Sequence, residues 1–260
     1  MKSKSLSFDQ YYQDIYPDWD QLKKNMLKEH GYYALDFTTV SSNKLSVLTE
    51  KIEATDSYFL DPVSTKTVDI LDAQVDEVVY DLCSAPGGKS LYWCYQNFDQ
   101  LAKLNLTVNE ISKNRFIKLK KNLNQFLPQV ENIRFTNFDA RLWFQHETEV
   151  ADKILLDVPC SSERHLLKQG STDTWSFKKM KNLANTQFSL LCSALEVLKI
   201  GGELVYSTCS INPLENENIL QRLEKKRTGR FELLQSELIL PQVENHFGGP
   251  IFLAKIKRLS

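Results

Sequence analysis

From residue 68 onward, short apolar runs alternate with amphipathic stretches, and that rhythm predicts a fold. VVYDL (78–82), LNLTVN (104–109), ENIRFT (131–136), DKILLDV (152–158) and ELVYST (203–208) have strand length and strand composition. Helical patterns intervene at about 88–97, 112–127 and 175–199. In the last of these Phe188, Leu191, Leu195 and Leu198 recur at helical spacing, and Gly201-Gly202 is expected to end the helix. Alternation of this kind implies an α/β fold, a mostly parallel sheet covered by helices on both faces. FELLQ (231–235) and PIFLAKIK (250–257) are expected to close it as a pair of strands.

Ahead of this unit the pattern changes. Residues 8–30 predict one polar helix with Tyr11, Tyr12, Ile15, Trp19, Leu22 and Met26 along one side, a stripe suited to docking. YYALDF (32–37) predicts a short strand and SSN (41–43) a turn.

Composition narrows the class. With 260 residues, 42% hydrophobic and 25% charged, the chain can bury a sizeable core as one large domain with a small addition. A net charge of −1 neither demands nor excludes a nucleic-acid partner, because local patches can bind RNA on a neutral protein. No run of 18 apolar residues suggests a membrane span. The start, MKSKSLSFDQYYQDIYPDW, has no apolar signal core, and five cysteines without a CxxC fit reduced thiols; a cytoplasmic location is expected. Their spacing matches no zinc pattern, so no metal is expected.

Candidate chemistry gathers at the ends of the predicted strands. CSAPGGKS follows the first, and its glycines are expected to let the backbone approach a ligand at a helix N-terminus. A phosphate-loop reading of GKS fails because that motif needs glycine where this chain has Cys83. Glu110 ends the second strand, about 20 residues past the glycines, where doubly wound sheets offer an acid to ribose hydroxyls. Asp139 follows the third strand, placed for a base amino group. An acid after a strand is commonly only a turn former or cap. The glycine loop, Glu110 and Asp139, in order on three consecutive strand ends, together point to an adenosyl cofactor.

The fourth strand delivers Asp157, Pro159 and Cys160, and the fifth Ser207, Thr208 and Cys209. Ligands of open α/β sheets lie outside the carboxyl ends of the strands, so both sulfurs are expected over one crevice. Asn212, Pro213 and Glu215 read as N-cap, first residue and capping-box acid of the next helix, which would favour the Cys209 thiolate. Cys94, Cys192 and the side chain of Cys83 read as core.

CSAPGGK, DVPCSS and YSTCS, in that order, resemble the Sun family (Fmu/Sun-type) of RNA cytosine-5 methyltransferases. The likeness runs from SYFLDPVS at 57–64 to the terminal GGPIFLAKIKR, dividing the chain into an N-terminal helical extension (1–56) and a catalytic domain (57–260). It implies a class I, Rossmann-like S-adenosylmethionine-dependent methyltransferase with a seven-stranded sheet and S-adenosylhomocysteine as product. Carried over by motif, the cofactor residues are Cys83, Ser84, Ala85, Pro86, Gly87, Gly88, Lys89, Glu110, Arg115, Asp139, Ala140 and Asp157. The resemblance makes Cys209 the nucleophile on carbon 6 of cytosine and Cys160 the group assisting release, with Asp157 stabilising the charged ring. SSERH is similar to the branch acting on mitochondrial ribosomal and transfer RNA.

The partner implied is RNA, ribosomal first and transfer RNA as the alternative. Because the base must leave its stack, single-stranded loops are the natural targets. Arg164 and His165 are candidates for RNA contact or a surface salt bridge; Lys178, Lys179 and Lys181 for phosphate contact or plain solvated charge. EKKRTGR (224–230) reads as a solvated loop. Two rivals remain: a DNA cytosine methyltransferase, which would attack with Cys160, and a noncatalytic RNA-binding ribosome-assembly factor.

Overall fold

The computed structural model describes residues 6–38, 45, 47–49, 56–241 and 248–260; the expected turn at 41–43 lies outside them. The N-terminal stripe forms two helices rather than one, α1 (Phe8–Ile15) and α2 (Trp19–Leu27). Pro17 is the reason. A residue before proline is pushed out of the helical region, and Tyr16 ends α1 at φ −117°, ψ 106°. Ser7 and Gln10 close a capping box at the start of α1. Phe8, Tyr12, Trp19, Leu22 and Met26 are buried together with Ile211, and Leu166 and Trp175 pack against them. The docking stripe is thus covered by Ile211, Leu166 and Trp175 of the chain's own α/β unit.

β1 (Tyr33–Asp36) pairs antiparallel with β2 (Ser57–Leu60), a strand the sequence pattern did not single out. Asp61 then caps α3 (Pro62–Leu71), accepting from Val63 N at 3.0 Å, with Pro62 where a missing N–H costs nothing.

The main sheet contains β3 (Val78–Asp81), β4 (Asn105–Asn109), β5 (Ile133–Thr136), β6 (Ala151–Asp157), β7 (Leu198–Thr208), β8 (Phe231–Ile239) and β9 (Ile251–Arg258). Their order is β5-β4-β3-β6-β7-β9-β8, parallel from β5 to β7, with β9 antiparallel to both neighbours. With α4 (Gly88–Gln96), α5 (Lys113–Phe126), α6 (Glu163–Lys168), α7 (Phe177–Val197) and α8 (Glu217–Lys226), this is the class I, Rossmann-like arrangement. Side-chain alternation builds a core on each face. Ile154, Leu156, Leu204 and Tyr206 face one cluster, whereas Val79, Leu155 and Val205 face the other.

Two local expectations change. α7 ends at Val197; Leu198 is already extended and pairs with Ala151 as the first residue of β7. Gly201 and Gly202 instead serve an irregularity in that strand. Gly201 has φ +84°, and a Cβ on Gly202 would lie 2.9 Å from the Asp152 carbonyl oxygen. Among the described residues, no helix is long and apolar enough to cross a membrane.

Candidate active site

β6 and β7 are neighbours in register, Leu156 beside Tyr206 and Asp157 beside Ser207, so the loops that follow leave the same sheet edge. The Cys160 and Cys209 sulfurs lie 3.0 Å apart. Ser162, in the left-handed region at φ +52°, places its hydroxyl 3.1 Å from the Cys209 sulfur and 3.4 Å from that of Cys160. The two thiols differ in setting. Cys209 is exposed, whereas Cys160 is half-buried. The Cys160 thiol donating to Cys209 holds the Cys209 pKa below the ordinary thiol range against the opposing effect of desolvation, and Ser162 adds to the lowering. Cys160 is pushed well above that range, first by the same contact and then by burial. Of the pair, Cys209 is therefore the thiol that ionises more readily.

Asp157 is fixed from both sides. Lys89 Nζ donates to its Oδ2 at 2.6 Å, and Ser207 Oγ to its Oδ1 at 2.7 Å. Burial works against the Lys89 charge, but Asp157, Asp81 and Cys209 together raise its pKa, so the ammonium persists. Lys89, Asp157, Ser162, His165 and Cys209 line one crevice of about 560 Å³, and Gly249 and Pro250 lie at its wall.

A second cavity of about 260 Å³ lies alongside, lined by Cys83, Glu110, Arg115, Asp139, Ala140 and Pro159 among others. Glu110 is 2% exposed; its Oε1 accepts from Ser112 N at 2.8 Å, and Arg115 stands 3.3 Å from Oε2. Arg115 also donates to the Ala85 carbonyl at 2.5 Å, tying α5 to the CSAPGGK loop. Asp139 lines the cavity but is engaged by its own loop: it caps the following turn and receives Arg141 through three side-chain contacts of 2.6–3.0 Å.

The glycines of CSAPGGK are packed closely against neighbouring side chains. A Cβ on Gly87, at φ +108°, would lie 2.7 Å from Leu123 Cδ1, and one on Gly88 would lie 3.2 Å from the Tyr58 ring. Ser84 and Ser90 are buried, with Ser90 donating to Asp81 at 2.6 Å. Pro86 lends its carbonyl to Asn122 at 2.8 Å.

The capping box expected after Cys209 is absent. α8 starts at Glu217, with Asn216 before it, and Asn212 accepts from Leu214 N at 3.0 Å in a local turn. Glu215 is drawn away by Ser161 N (3.0 Å) and Gln187 Nε2 (2.7 Å). The low pKa of Cys209 thus comes from its thiol and hydroxyl neighbours, not from a helix end. Arg164 turns inward, donating to Asp61 Oδ2 (3.2 Å), Gly249 O (3.0 Å) and Met26 O (3.2 Å), while His165 stays exposed in the crevice. Lys178, Lys179 and Lys181 are exposed in the first turns of α7, and Arg227 and Arg230 pair with Glu196. Cys94 is buried and Cys192 half-buried.

Two residues near the chemistry were not anticipated: Ser162 between the sulfurs, and Glu163, fully buried behind the loops. Ser207, expected at the end of the fifth strand, sits beside Asp157 through the β6–β7 register; nothing local marked the other two.

A sequence model of the 16S rRNA methyltransferase RsmB/F family matches residues 68–247. The 5-cytosine rRNA methyltransferase NSUN4 of Xenopus laevis is 32% identical over 233 residues, covering 78% of this chain and 56% of that protein. The mitochondrial tRNA (cytosine(34)-C(5))-methyltransferase of Mus musculus is 33% identical over 173 residues, 64% of this chain and 48% of its own length. The chain spans about half the length of these curated relatives. Among solved structures, NSun6 from Pyrococcus horikoshii with SFG superposes with a TM-score of 0.67 at 26% identity, covering 85% of this chain and 61% of that one. Matched from ahead of strand β3 to beyond the second cysteine loop, the chain belongs to the RsmB/F family, the Sun family its motifs resemble.

Proposed function

We propose that the chain is an S-adenosylmethionine-dependent RNA cytosine-5 methyltransferase acting on ribosomal RNA. The observation that carries this reading is the pair of sulfurs 3.0 Å apart, one of them with a lowered pKa, in a crevice shared with a fixed Asp157. The adjoining cavity suits the cofactor: Glu110 is a nearly buried carboxylate held by Ser112 N and Arg115, which leaves acceptor capacity for ribose hydroxyls. When bound there, the cofactor supplies an electrophilic methyl group.

The chain's own residues do the rest. The Cys209 thiolate adds to carbon 6 of the cytosine, forming an S–C6 bond and moving an electron pair into the ring toward carbon 5. Asp157 accepts from the exocyclic amine, and Lys89 offsets the negative charge that develops. After methylation, carbon 5 gives up its proton to solvent, the C5–H electron pair re-forms the C5–C6 double bond and the sulfur leaves as Cys209 thiolate. Cys160, whose high pKa keeps it protonated, steadies that leaving thiolate by donating to it.

Ribosomal RNA is preferred because the family description and the Xenopus relative both name it. Transfer RNA is the second reading, favoured by the mouse relative. The test is transfer of labelled methyl to purified rRNA, tRNA and duplex DNA, followed by nucleoside analysis. The expected product is 5-methylcytidine in RNA. Label in DNA alone would favour the DNA-enzyme rival, and absence of label from all three a noncatalytic factor.

A further inference from the structure

Behind the two cysteine loops lies a cluster that the chemistry above does not use. Glu163 and Glu215 are both fully buried. Glu215 accepts from Ser161 N at 3.0 Å and from Gln187 Nε2 at 2.7 Å, and Gln187 also donates to the Pro159 carbonyl at 2.9 Å. Glu163 accepts from Ile211 N at 3.1 Å, from Ser210 Oγ at 3.3 Å and from Tyr12 OH at 2.5 Å. The segment flanking Cys160 and the segment following Cys209 are therefore held by the same two carboxyls. Helix α1 joins them: besides Tyr12, Tyr16 OH donates to the Ile211 carbonyl at 2.6 Å.

Proton counting constrains this cluster. The Ser161 hydroxyl contacts a carboxyl oxygen of both Glu163 and Glu215, and lies 3.0 Å from Ser210 Oγ. A hydroxyl donates one proton, and a carboxylate donates none. Both contacts are hydrogen bonds only if one of the two acids is protonated and donates to Ser161.

We propose that Glu163 and Glu215 hold one shared proton through Ser161 and act as positioning residues, setting the Cys160 loop against the Cys209 loop until that proton is lost. The proposal deepens the methyltransferase reading and rests on it for its catalytic consequence. The groups facing the pair are Tyr11, Tyr12 and Tyr16 from α1, Tyr206 and Cys209 from β7 and its end, Cys160 from the β6 end, and neutral Gln187 from α7. Among the described residues, no lysine, arginine or histidine pairs with either acid, so no positive side chain offsets a double negative charge. Burial, followed by the Glu163 charge, lifts the Glu215 pKa from 4.5 to about 7. Above that pH one Ser161 contact must break, and a second negative charge stands behind the thiols.

The readout needs neither RNA nor cofactor. Alkylation of Cys209 by iodoacetamide in the full chain is followed by mass spectrometry from about pH 5.5 to about pH 9. The wild type should show an inflection near pH 7 in addition to the thiol titration. Glu215→Gln, whose amide donates to Ser161 as the protonated acid does, should lose it. Tyr12→Phe removes one donor to the carboxyls and should move it upward by about half a pH unit or more. In a parallel methyl-transfer assay, the wild-type kcat should fall above pH 7 and the Glu215→Gln kcat should not, with KM for the cofactor unchanged. An inflection that survives Glu215→Gln, or a wild-type profile with the thiol titration alone, overturns the proposal. Should Glu215→Gln fail to fold, an inflection unmoved by Tyr12→Phe overturns it equally. Loss of methyl transfer with the alkylation inflection intact would instead refute the methyltransferase reading and leave the acid pair standing.

Discussion

Stability should fall as pH rises from weakly acidic to weakly alkaline, and two buried acids set the size of the effect. Burial lifts Asp81 from 3.8 to about 6 despite donors from Ser90 and Ser84, and Glu215 rises from 4.5 to about 7. Between its unfolded and folded values each acid carries more proton in the folded state. The slope of unfolding free energy with pH is then negative, and the penalty builds from about pH 4 to about pH 7. Shifts of about two units at about 1.4 kcal/mol per unit give roughly 3 kcal/mol for each acid, an upper figure because buried groups relax. Against a domain stability of about 5–15 kcal/mol the loss is large. Acids with lowered values, such as Asp152 and Glu203, act in the opposite sense, but their contribution is lost only as pH falls through and below the ordinary carboxylate range. The maximum is therefore expected near pH 5. Urea titration of the cofactor-free protein measures it, and Asp81→Asn and Glu215→Gln should each remove about half of the decline. A midpoint that stays constant or rises from about pH 5 to about pH 7.5 would refute the reasoning.

Glu110→Ala should weaken S-adenosylmethionine binding by about ten- to a hundredfold, the cost of a charge-assisted hydrogen bond, as read by calorimetry; wild-type affinity would remove Glu110 from the site. Gly87→Ala, at φ +108° and 2.7 Å from Leu123, should destabilise the fold by more than about 1 kcal/mol in the same urea titration. RNA binding measured by filter retention should weaken steeply with added salt, because phosphate contacts release counterions.

The sheet was legible because its parallel strands are buried on both faces and stand out as apolar runs, and because helices alternate with them. What escaped was mostly decided at a distance. Asn212-Pro213-Glu215 has the local look of a helix start, yet Glu215 satisfies Ser161 N, 54 positions away in sequence, and the helix begins later. Gly201-Gly202 resembles a helix terminator, but close approach to Asp152 uses it inside β7. The break at Tyr16-Pro17 was local and readable; the apolar periodicity on either side hid it. At the site, strand ends placed Asp157, Cys160 and Cys209 together, since topology alone does so. Lys89 on Asp157 and Ser162 between the sulfurs depend on side-chain reach across loops, which no spacing in one sequence encodes.

The division of labour between the two cysteines is tested most directly by trapping. Wild type, Cys160→Ala, Cys209→Ala and the double variant are incubated with RNA and S-adenosylmethionine and run on a denaturing gel. Cys160→Ala should accumulate a denaturant-resistant protein–RNA adduct, because attack by Cys209 proceeds while release is slowed; Cys209→Ala and the double variant should form none. An adduct that persists in Cys209→Ala and disappears in Cys160→Ala would make Cys160 the nucleophile and contradict the account.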